Sequence, residues 1–379
     1  MNPTHRLGER DLTRGRAKQK LLYRQLADVL RERIENGRLK PGSMLPSMDD
    51  LARKYSIHKA TVRRAIAQLT LSGHLRSVPS RGTFVLDDSA RQQKSSRVPA
   101  IGWVISVSDN GRTGRYHTEI MDAVQTALQE INGHLVIISA VGQSASAISR
   151  IIGEAQLNGI VLIGGFPHET IRHLAGTGMP AVLIDDTCRG AALDSILIDN
   201  RSGGYEAARH LISLGHRRLA FVTGIPGLKI TEDRLAGAWE AVDEAGISRD
   251  QVQVIPGDFS PRSGRLAATR IIAANPQPTG AFFFNDEMAS AALQTFYEHS
   301  DLRIPEDLSI VGFDDTTWAS LTPPPLTTIH VEKELIGREA VLRLRRKMTE
   351  ADYVPTTSIT PTRLVVRKST ASPTQRGAK

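Results

Sequence analysis

Apolar residues in the first quarter of the chain recur at helical spacing. Leu22, Leu26, Val29, Leu30 and Ile34 form one stripe, which predicts a helix over 22–36 ended by Gly37. Lys40-Pro41-Gly42 reads as a turn. A second helix starts at Pro46-Ser47, with Ser47 as N-cap, Asp50 at the capping-box position and Met48, Leu51, Ala52 and Tyr55 on its apolar face. Ser56-Ile57-His58 turns the chain into a third helix. Val62, Ala65, Ile66 and Leu69 face inward, and Lys59, Thr61, Arg63 and Arg64 lie on the opposite face. Two short strands follow, Leu75 to Val78 and Thr83 to Leu86, joined by Pro79-Ser80-Arg81-Gly82.

From Ala100 the period changes. Short apolar runs begin near residues 101, 134, 159, 180, 195, 218, 251, 280 and 308, and most are separated by about 15–30 residues, enough for a helix or another crossover. Strand and crossover alternating in this way predict an α/β body with parallel sheets covered by helices. Nine strands suit two lobes better than one sheet. The expected organisation is a basic arm over 1–20, a three-helix and hairpin domain over 21–86, a polar linker over 87–99, a two-lobed body over 100–368 and a frayed tail over 369–379.

Composition narrows the class. At 379 residues, with 40% apolar and 23% charged, the chain has the ordinary balance of a folded protein of two or three domains. Its longest apolar stretch, Gly159 to Phe166, is far short of the ~20 residues of a membrane span. One cysteine, Cys188, excludes internal disulfides and cysteine-rich metal sites. With a polar, basic N-terminus, this leads to the expectation of a cytoplasmic protein without membrane contact. The net charge of +8 is divided as +12 over residues 1–98 and −4 over residues 99–379. A basic head on a mildly acidic body suits a polyanion partner for the head, although a solvated basic surface has the same composition.

Three helices and a hairpin make a winged helix-turn-helix layout. The third helix can enter a major groove, where Lys59 and Arg63, one turn apart, face double-stranded DNA together. Thr61 can bond a phosphate or touch a thymine methyl. Gly82 allows close backbone approach at the wing, and Arg81 can reach a phosphate or the minor groove. A basic three-helix module that binds protein shares this generic pattern. The stretch from Leu22 to Val85 resembles the GntR-type DNA-binding domain over its whole length. The resemblance is carried by Gly37…Pro41-Gly42, Leu45-Pro46-Ser47, Leu51-Ala52, Ala60-Thr61-Val62-Arg63 and Arg81-Gly82-Thr83-Phe84-Val85. It implies a homodimer reading a palindromic operator, with Ser47, Lys59, Thr61, Arg63, Arg64, Arg81 and Gly82 as DNA-binding residues. The chain departs from the family at Asp49, where an arginine is usual, and at His58-Lys59, where Ser-Arg is usual. Aspartate repels phosphate, and lysine lacks the bidentate fork of arginine.

In open α/β lobes, ligands bind at the carboxyl ends of strands. Ser106, Ser108, Asp185-Asp186, Asn285-Asp286 and Asp314-Asp315 fall at such ends. Carboxylates and amides gathered there suit a polyhydroxyl ligand, because each carboxylate oxygen accepts a hydroxyl proton. Asn285, Asp286 and Asp315 can equally serve as helix caps. The body resembles the LacI and periplasmic sugar-binding type of sensor domain over about residues 99–368. The matching pieces include Asp199-Asn200, Leu214-Gly215-His216-Arg217-Arg218, Arg234-Leu235-Ala236-Gly237, Asn285-Asp286-Glu287-Met288-Ala289 and Val311-Gly312-Phe313-Asp314-Asp315. The resemblance implies a two-lobed periplasmic-binding-protein-like fold whose strands cross between lobes near residues 198, 331 and 357. It also implies a small-molecule effector, a sugar, contacted by Asp185, Arg234, Asn285 and Asp314. Phe259 falls where the family often has an aromatic that stacks on the ligand ring, and lobe-core packing is the other role open to it. A GntR-type head on a LacI-type body is the arrangement of arabinose-type repressors.

The expected function is a transcriptional regulator, a repressor, whose operator affinity is controlled by a sugar in the interlobe cleft, with no cofactor and no metal. An enzyme is the contrasting class. The sequence holds no Gly-x-x-x-x-Gly-Lys loop, His-Glu-x-x-His motif or Gly-x-Ser-x-Gly elbow, so no catalytic residue is assigned. A solute-binding transport protein is a third class, disfavoured by the basic head.

Overall fold

The computed structural model describes residues 22–71, 74–78, 82–86, 99–106, 114–350 and 352–374. The expected arm, most of the linker and the last five residues lie outside that range. The described residues fall into two units: one holds the head up to Ala100 together with Arg343–Val354, and the other holds Ile101–Leu342 and the residues from Pro355 on.

In the head, helices α1 (Leu22–Glu35), α2 (Met48–Lys54) and α3 (Lys59–Leu71) precede an antiparallel hairpin of β1 (Leu75–Val78) and β2 (Gly82–Val85). Their inward stripes meet in one core containing Leu26, Leu30, Ile34, Leu51, Val62, Ile66, Leu69, Leu75 and Val85. Met44 bridges to Phe84 and adds a short third edge to the hairpin. The predicted elements are therefore present, with the second strand beginning one residue earlier than expected.

Nine predicted strands of the body form as β3 (Ala100–Ile105), β4 (His134–Ser139), β5 (Gly159–Ile163), β6 (Ala181–Ile184), β7 (Asp194–Ile198), β8 (Leu219–Val222), β9 (Val252–Ile255), β10 (Gly280–Phe283) and β11 (Ser309–Asp314). Three more complete the sheets: β12 (Thr327–Val331), β13 (Thr357–Thr360) and β14 (Thr362–Val365). The first sheet has the order β13-β7-β6-β5-β3-β4 and the second β14-β12-β11-β10-β8-β9. Among the body strand pairs whose register is described, pairing is parallel except between β12 and β14. Every residue of β3, β5, β6, β8, β10 and β11 is buried, which requires cover on both faces and explains their unbroken apolar runs.

The helices are α4 (Arg115–Gln129), α5 (Ala145–Glu154), α6 (His168–Gly176), α7 (Asn200–Ser213), α8 (Lys229–Glu244), α9 (Pro261–Ile272), α10 (Asp286–His299) and α11 (Lys333–Thr349). The chain leaves the first lobe after Ile198, returns after Val331 and leaves again at Pro361. Two crossings fall where expected. The third lies four residues beyond the expected 357, because Thr357–Thr360 still pairs with β7. No helix among the described residues is long and apolar enough to cross a membrane.

The expectation of a frayed tail from residue 369 is corrected by the structure. Ser369 is fully buried, and its hydroxyl donates to the Ile310 carbonyl at 2.7 Å and accepts from the Thr327 amide at 2.8 Å. The Ala371 carbonyl oxygen lies 3.0 Å from His216 Nε2 and accepts from the Ser309 hydroxyl at 2.9 Å. Hydrogen bonds rather than apolar burial hold this segment, which is why its polar sequence looks free.

Helices α7 and α8 pack backbone to backbone. A Cβ at Gly204 would collide with the Arg234 carbonyl, and one at Gly237 with the Arg201 carbonyl. This approach brings the amino-terminal half of α8 onto Asn200. We expect Gly237→Ala to destabilise the body by about 1–3 kcal/mol through overpacking. Urea unfolding should show a lower midpoint for this variant, and an unchanged midpoint would refute the close approach.

Candidate functional site

The head presents α3 outward. Lys59, Arg63 and Arg64 are exposed and Thr61 is half-buried. Ser47 caps α2, accepting from the Asp50 amide at 3.1 Å while its hydroxyl donates to the Asp50 carboxylate at 2.7 Å. The Arg64 guanidinium lies 5.8 Å from the Tyr23 ring centroid, which leans it toward α1. Gly82 has φ +114°, and a Cβ there would press on the Met44 sulfur at 3.0 Å, so both conformation and space require glycine at the base of the wing. Arg81 lies outside the described residues. The unusual Asp49 has a definite partner: its carboxylate holds the Lys59 ammonium at 2.9 Å. Lys59 thus stands on the expected face with its charge already paired, while Arg63 does not share in that pair.

In the body, the carboxyl ends of the strands converge on a cleft of about 770 Å³. Asp185 follows β6, Arg234 lies in α8, Phe259 follows β9, Asn285 follows β10, and Asp314 ends β11. All five residues expected from the sequence line this one cavity. Three of them, Asp185 (φ +62°), Phe259 (φ +68°) and Asp314 (φ +104°), hold left-handed backbone conformations, and Asp315 (φ +51°) follows directly. Such residues cost about 1–3 kcal/mol each and persist only where the surroundings hold them. Their clustering at one cleft marks it as the functional end of both sheets.

Arg234 is buried at 3% exposure and organises the floor. Its Nε donates to Asn200 Oδ1 at 2.8 Å, Nη1 donates to the Phe284 carbonyl, and Nη2 lies 3.5 Å from Asp314 Oδ1. Its guanidinium stacks 3.6 Å from the Phe313 ring centroid, with Phe259 at 5.9 Å on another side. The Phe259 ring is half-buried against Gly224, where a Cβ would overlap it. Burial raises the Asp314 carboxyl well above its ordinary range, an effect opposed by Arg234. Burial likewise lifts Asp185 to about 6, opposed by the Tyr116 hydrogen bond and by Arg234.

Not every strand-end group faces the cavity. Asn285 is the N-cap of α10: its Oδ1 accepts from the Met288 amide at 2.9 Å and its Nδ2 donates to the Phe259 carbonyl at 2.9 Å. It lines the cleft with one remaining amide hydrogen. Asp286 turns away, accepting from Thr328 Oγ1 at 2.6 Å and the Thr316 amide at 2.7 Å. Asp315 also turns away, to His330 of β12 at 2.7 Å and to Arg367, just after β14, at 2.6 Å. Ser106 donates to the Gly164 carbonyl, and Ser108 lies outside the described residues.

Sequence reasoning missed Tyr116, His117, Glu287 and Lys333. Tyr116 donates to Asp185 Oδ2 at 2.6 Å, and His117 lines the same cleft with burial lowering its pKa to about 4. Glu287 accepts from the Arg115 amide across the lobes. Lys333 donates to the carbonyls of Asp314 (2.6 Å) and Asp315 (3.0 Å) and lies 3.6 Å from Glu119 of α4. Glu119 in turn accepts from the Thr317 amide at 2.8 Å. The available signal for Tyr116 and His117 was position: they open the helix that follows the carboxyl end of β3.

Comparison with known proteins agrees with this geometry. Residues 22–85 match the gntR family of bacterial regulatory proteins, and residues 208–370 match the periplasmic binding protein-like domain. The chain joins a GntR-type DNA-binding domain to a LacI-type effector domain. It is a DNA-binding transcriptional regulator with a ligand-binding effector body. Its relatives include the HTH-type transcriptional repressor PurR of Vibrio atlanticus, 28% identical over 319 residues, covering 82% of this chain and 94% of that protein. The HTH-type transcriptional regulator DegA of Bacillus subtilis is 29% identical over 262 residues, covering 68% of this chain and 77% of that protein. Among solved structures, the transcriptional regulator CelR–cellobiose complex superposes with a TM-score of 0.64 at 25% identity, covering 86% of this chain and all of that one.

The Asp49–Lys59 pair gives the regulator's head a specific expectation. Asp49→Asn should free the Lys59 ammonium, tighten DNA binding, and steepen the slope of log affinity against log salt by about 0.9, the contribution of one more neutralised phosphate. Fluorescence anisotropy over a salt series reads both. An unchanged slope would mean that Lys59 makes no phosphate contact.

Proposed function

We propose that the regulator is a homodimeric repressor that reads a palindromic operator, and that a small polyhydroxyl ligand, a sugar, controls its operator affinity by occupying the interlobe cleft. The observation that carries this reading is the convergence of Asp185, Arg234, Phe259, Asn285 and Asp314 on one cavity. Carboxylates accept hydroxyl protons, the remaining Asn285 hydrogen donates, and the Phe259 ring offers a face to sugar C–H groups. The cellobiose bound to the similarly folded CelR supports the ligand class.

The control mechanism follows from what joins the lobes. Asp314 points into the cleft, while the next residue, Asp315, holds β12 and the segment after β14. Lys333 binds both carbonyls and faces Glu119 of the other lobe. A ligand that engages Asp314 therefore acts on the point where the chain crosses between lobes. It changes operator affinity only through different affinities for two lobe arrangements, and a hundredfold change needs about 2.7 kcal/mol of coupling.

Two substitutions separate the two functions. Arg63→Ala should weaken operator binding by about 1–3 kcal/mol, the range for a lost base contact, while leaving ligand binding intact. Phe259→Ala should abolish the ligand response while leaving operator binding intact, since it removes a half-buried platform and not the Arg234 floor. Thermal-shift screening with mono- and disaccharides identifies the ligand, and gel-shift titration with and without it measures the response. Normal operator binding by Arg63→Ala, or a normal response by Phe259→Ala, would contradict the assigned roles.

A further inference from the structure

The charge of the ligand can be read from the cleft, and this inference rests on the polyhydroxyl reading above. Among the described residues, seven carboxyl side chains line the cavity against three from lysine and arginine. Two of those cations are engaged within the protein: Lys229 donates to Asp233 at 2.7 Å, and Arg234 serves Asn200, the Phe284 carbonyl and Asp314.

Asp185 and Asp186 stand side by side after β6. The Tyr116 hydroxyl occupies Asp185 Oδ2, and Asp185 Oδ1 is buried without a hydrogen-bond partner. Asp186 Oδ1 accepts from the Thr187 amide at 2.7 Å, and its charge disfavours ionisation of Asp185. A buried, unpartnered carboxylate oxygen beside a second carboxylate calls for a donor that carries positive charge. Hydrogen bonds between ionised partners are roughly twice as strong as neutral ones. A phosphate would instead be repelled by both carboxylates.

We propose that the effector is a polyol bearing an ammonium group, an amino sugar in chemical class, with the ammonium held by Asp185 and Asp186, and that phosphorylated sugars are excluded. The preference is pH-dependent in a stated direction. The charged and titratable groups facing Asp185 are Tyr116, Arg234, Asp186 and Asp314, and those facing Asp186 are His168 and Lys229. Burial pushes the Asp185 carboxyl up to about 6, and a bound ammonium favours its ionised form. The preference is therefore present above pH 6 and declines as pH falls through that value.

Calorimetric titration of the full chain at pH 7 tests this with three matched sets: glucose, glucosamine and glucose 6-phosphate, and the corresponding galactose and mannose compounds. In any set that binds, the amino sugar should bind at least tenfold more tightly than the neutral sugar, with no binding of the phosphate. Asp186→Asn, which keeps an acceptor for the Thr187 amide, should reduce that ratio at least threefold with an unchanged unfolding midpoint. A neutral sugar that binds as tightly as its amine, a phosphate that binds, or a ratio unmoved by Asp186→Asn overturns the charge assignment and leaves the polyol reading standing. Failure of every compound in all three sets overturns the amino-sugar assignment, while the polyol reading is decided by the mono- and disaccharide screen.

Discussion

A single buried cation fixes the shape of the cleft. Arg234 brings together α7 through Asn200, the end of β10 through the Phe284 carbonyl, and the end of β11 through Asp314, with the Phe313 ring beneath its plane. A charge at 3% exposure is tolerable only when its donors are satisfied and a counter-charge is close. Those requirements dictate much of the surrounding sequence. Gly203 and Gly204 let the Phe313 ring and the Arg234 backbone approach α7, because a Cβ at either position would collide with them. Asp314 takes a left-handed conformation beside this arginine, at a backbone cost that the surrounding contacts must offset.

The same constraint links ligand chemistry to lobe geometry. Asp314 and Asp315 are consecutive, yet one carboxylate faces the cleft and the other faces the crossing strands. Their two carbonyls share the Lys333 ammonium, which also faces Glu119 on the first lobe. In the proposed control, a shift of Asp314 toward a ligand would move groups that belong to the crossing segments. This is a local two-sided contact, and it gives the proposed control a physical route within the body that does not require a long chain of side chains.

Much of this was legible in the sequence. The head's helices could be read because each has a clear apolar stripe, and the nine inner strands because burial on both faces makes them continuous apolar runs. Strands β12, β13 and β14 were not read: threonine-rich segments such as Thr357–Thr360 lie at sheet edges or at crossings, where alternation is weak. The tail looked free because its anchoring is by hydroxyl and carbonyl groups. Asp185, Asn285 and Asp314 could be placed by their positions at strand ends, and Arg234 and Phe259 only through the family resemblance; that Asp314 faces the cavity while Asp315 turns away could not be read from the residues. That choice depends on the left-handed turn at Asp314, which leaves no periodic signal. Tyr116 and His117 escaped notice because a first-turn helix residue joins a cleft only once the fold is known. The pairing of Lys59 with Asp49 joins residues ten apart across a turn, and only side-chain geometry shows it.

The claim that one buried ion pair organises the cleft is tested most directly by a double-mutant cycle on Arg234 and Asp314, read by urea unfolding. Arg234→Met should cost about 3–5 kcal/mol, because it leaves Asp314, Asn200 and the Phe284 carbonyl buried without their shared partner. In the Asp314→Asn background the same change should cost at least about 1 kcal/mol less, a coupling within the range for residues in direct contact. Additive losses would contradict the account, since they would show that the two side chains are held independently and that Arg234 does not set the position of the carboxylate facing the cleft.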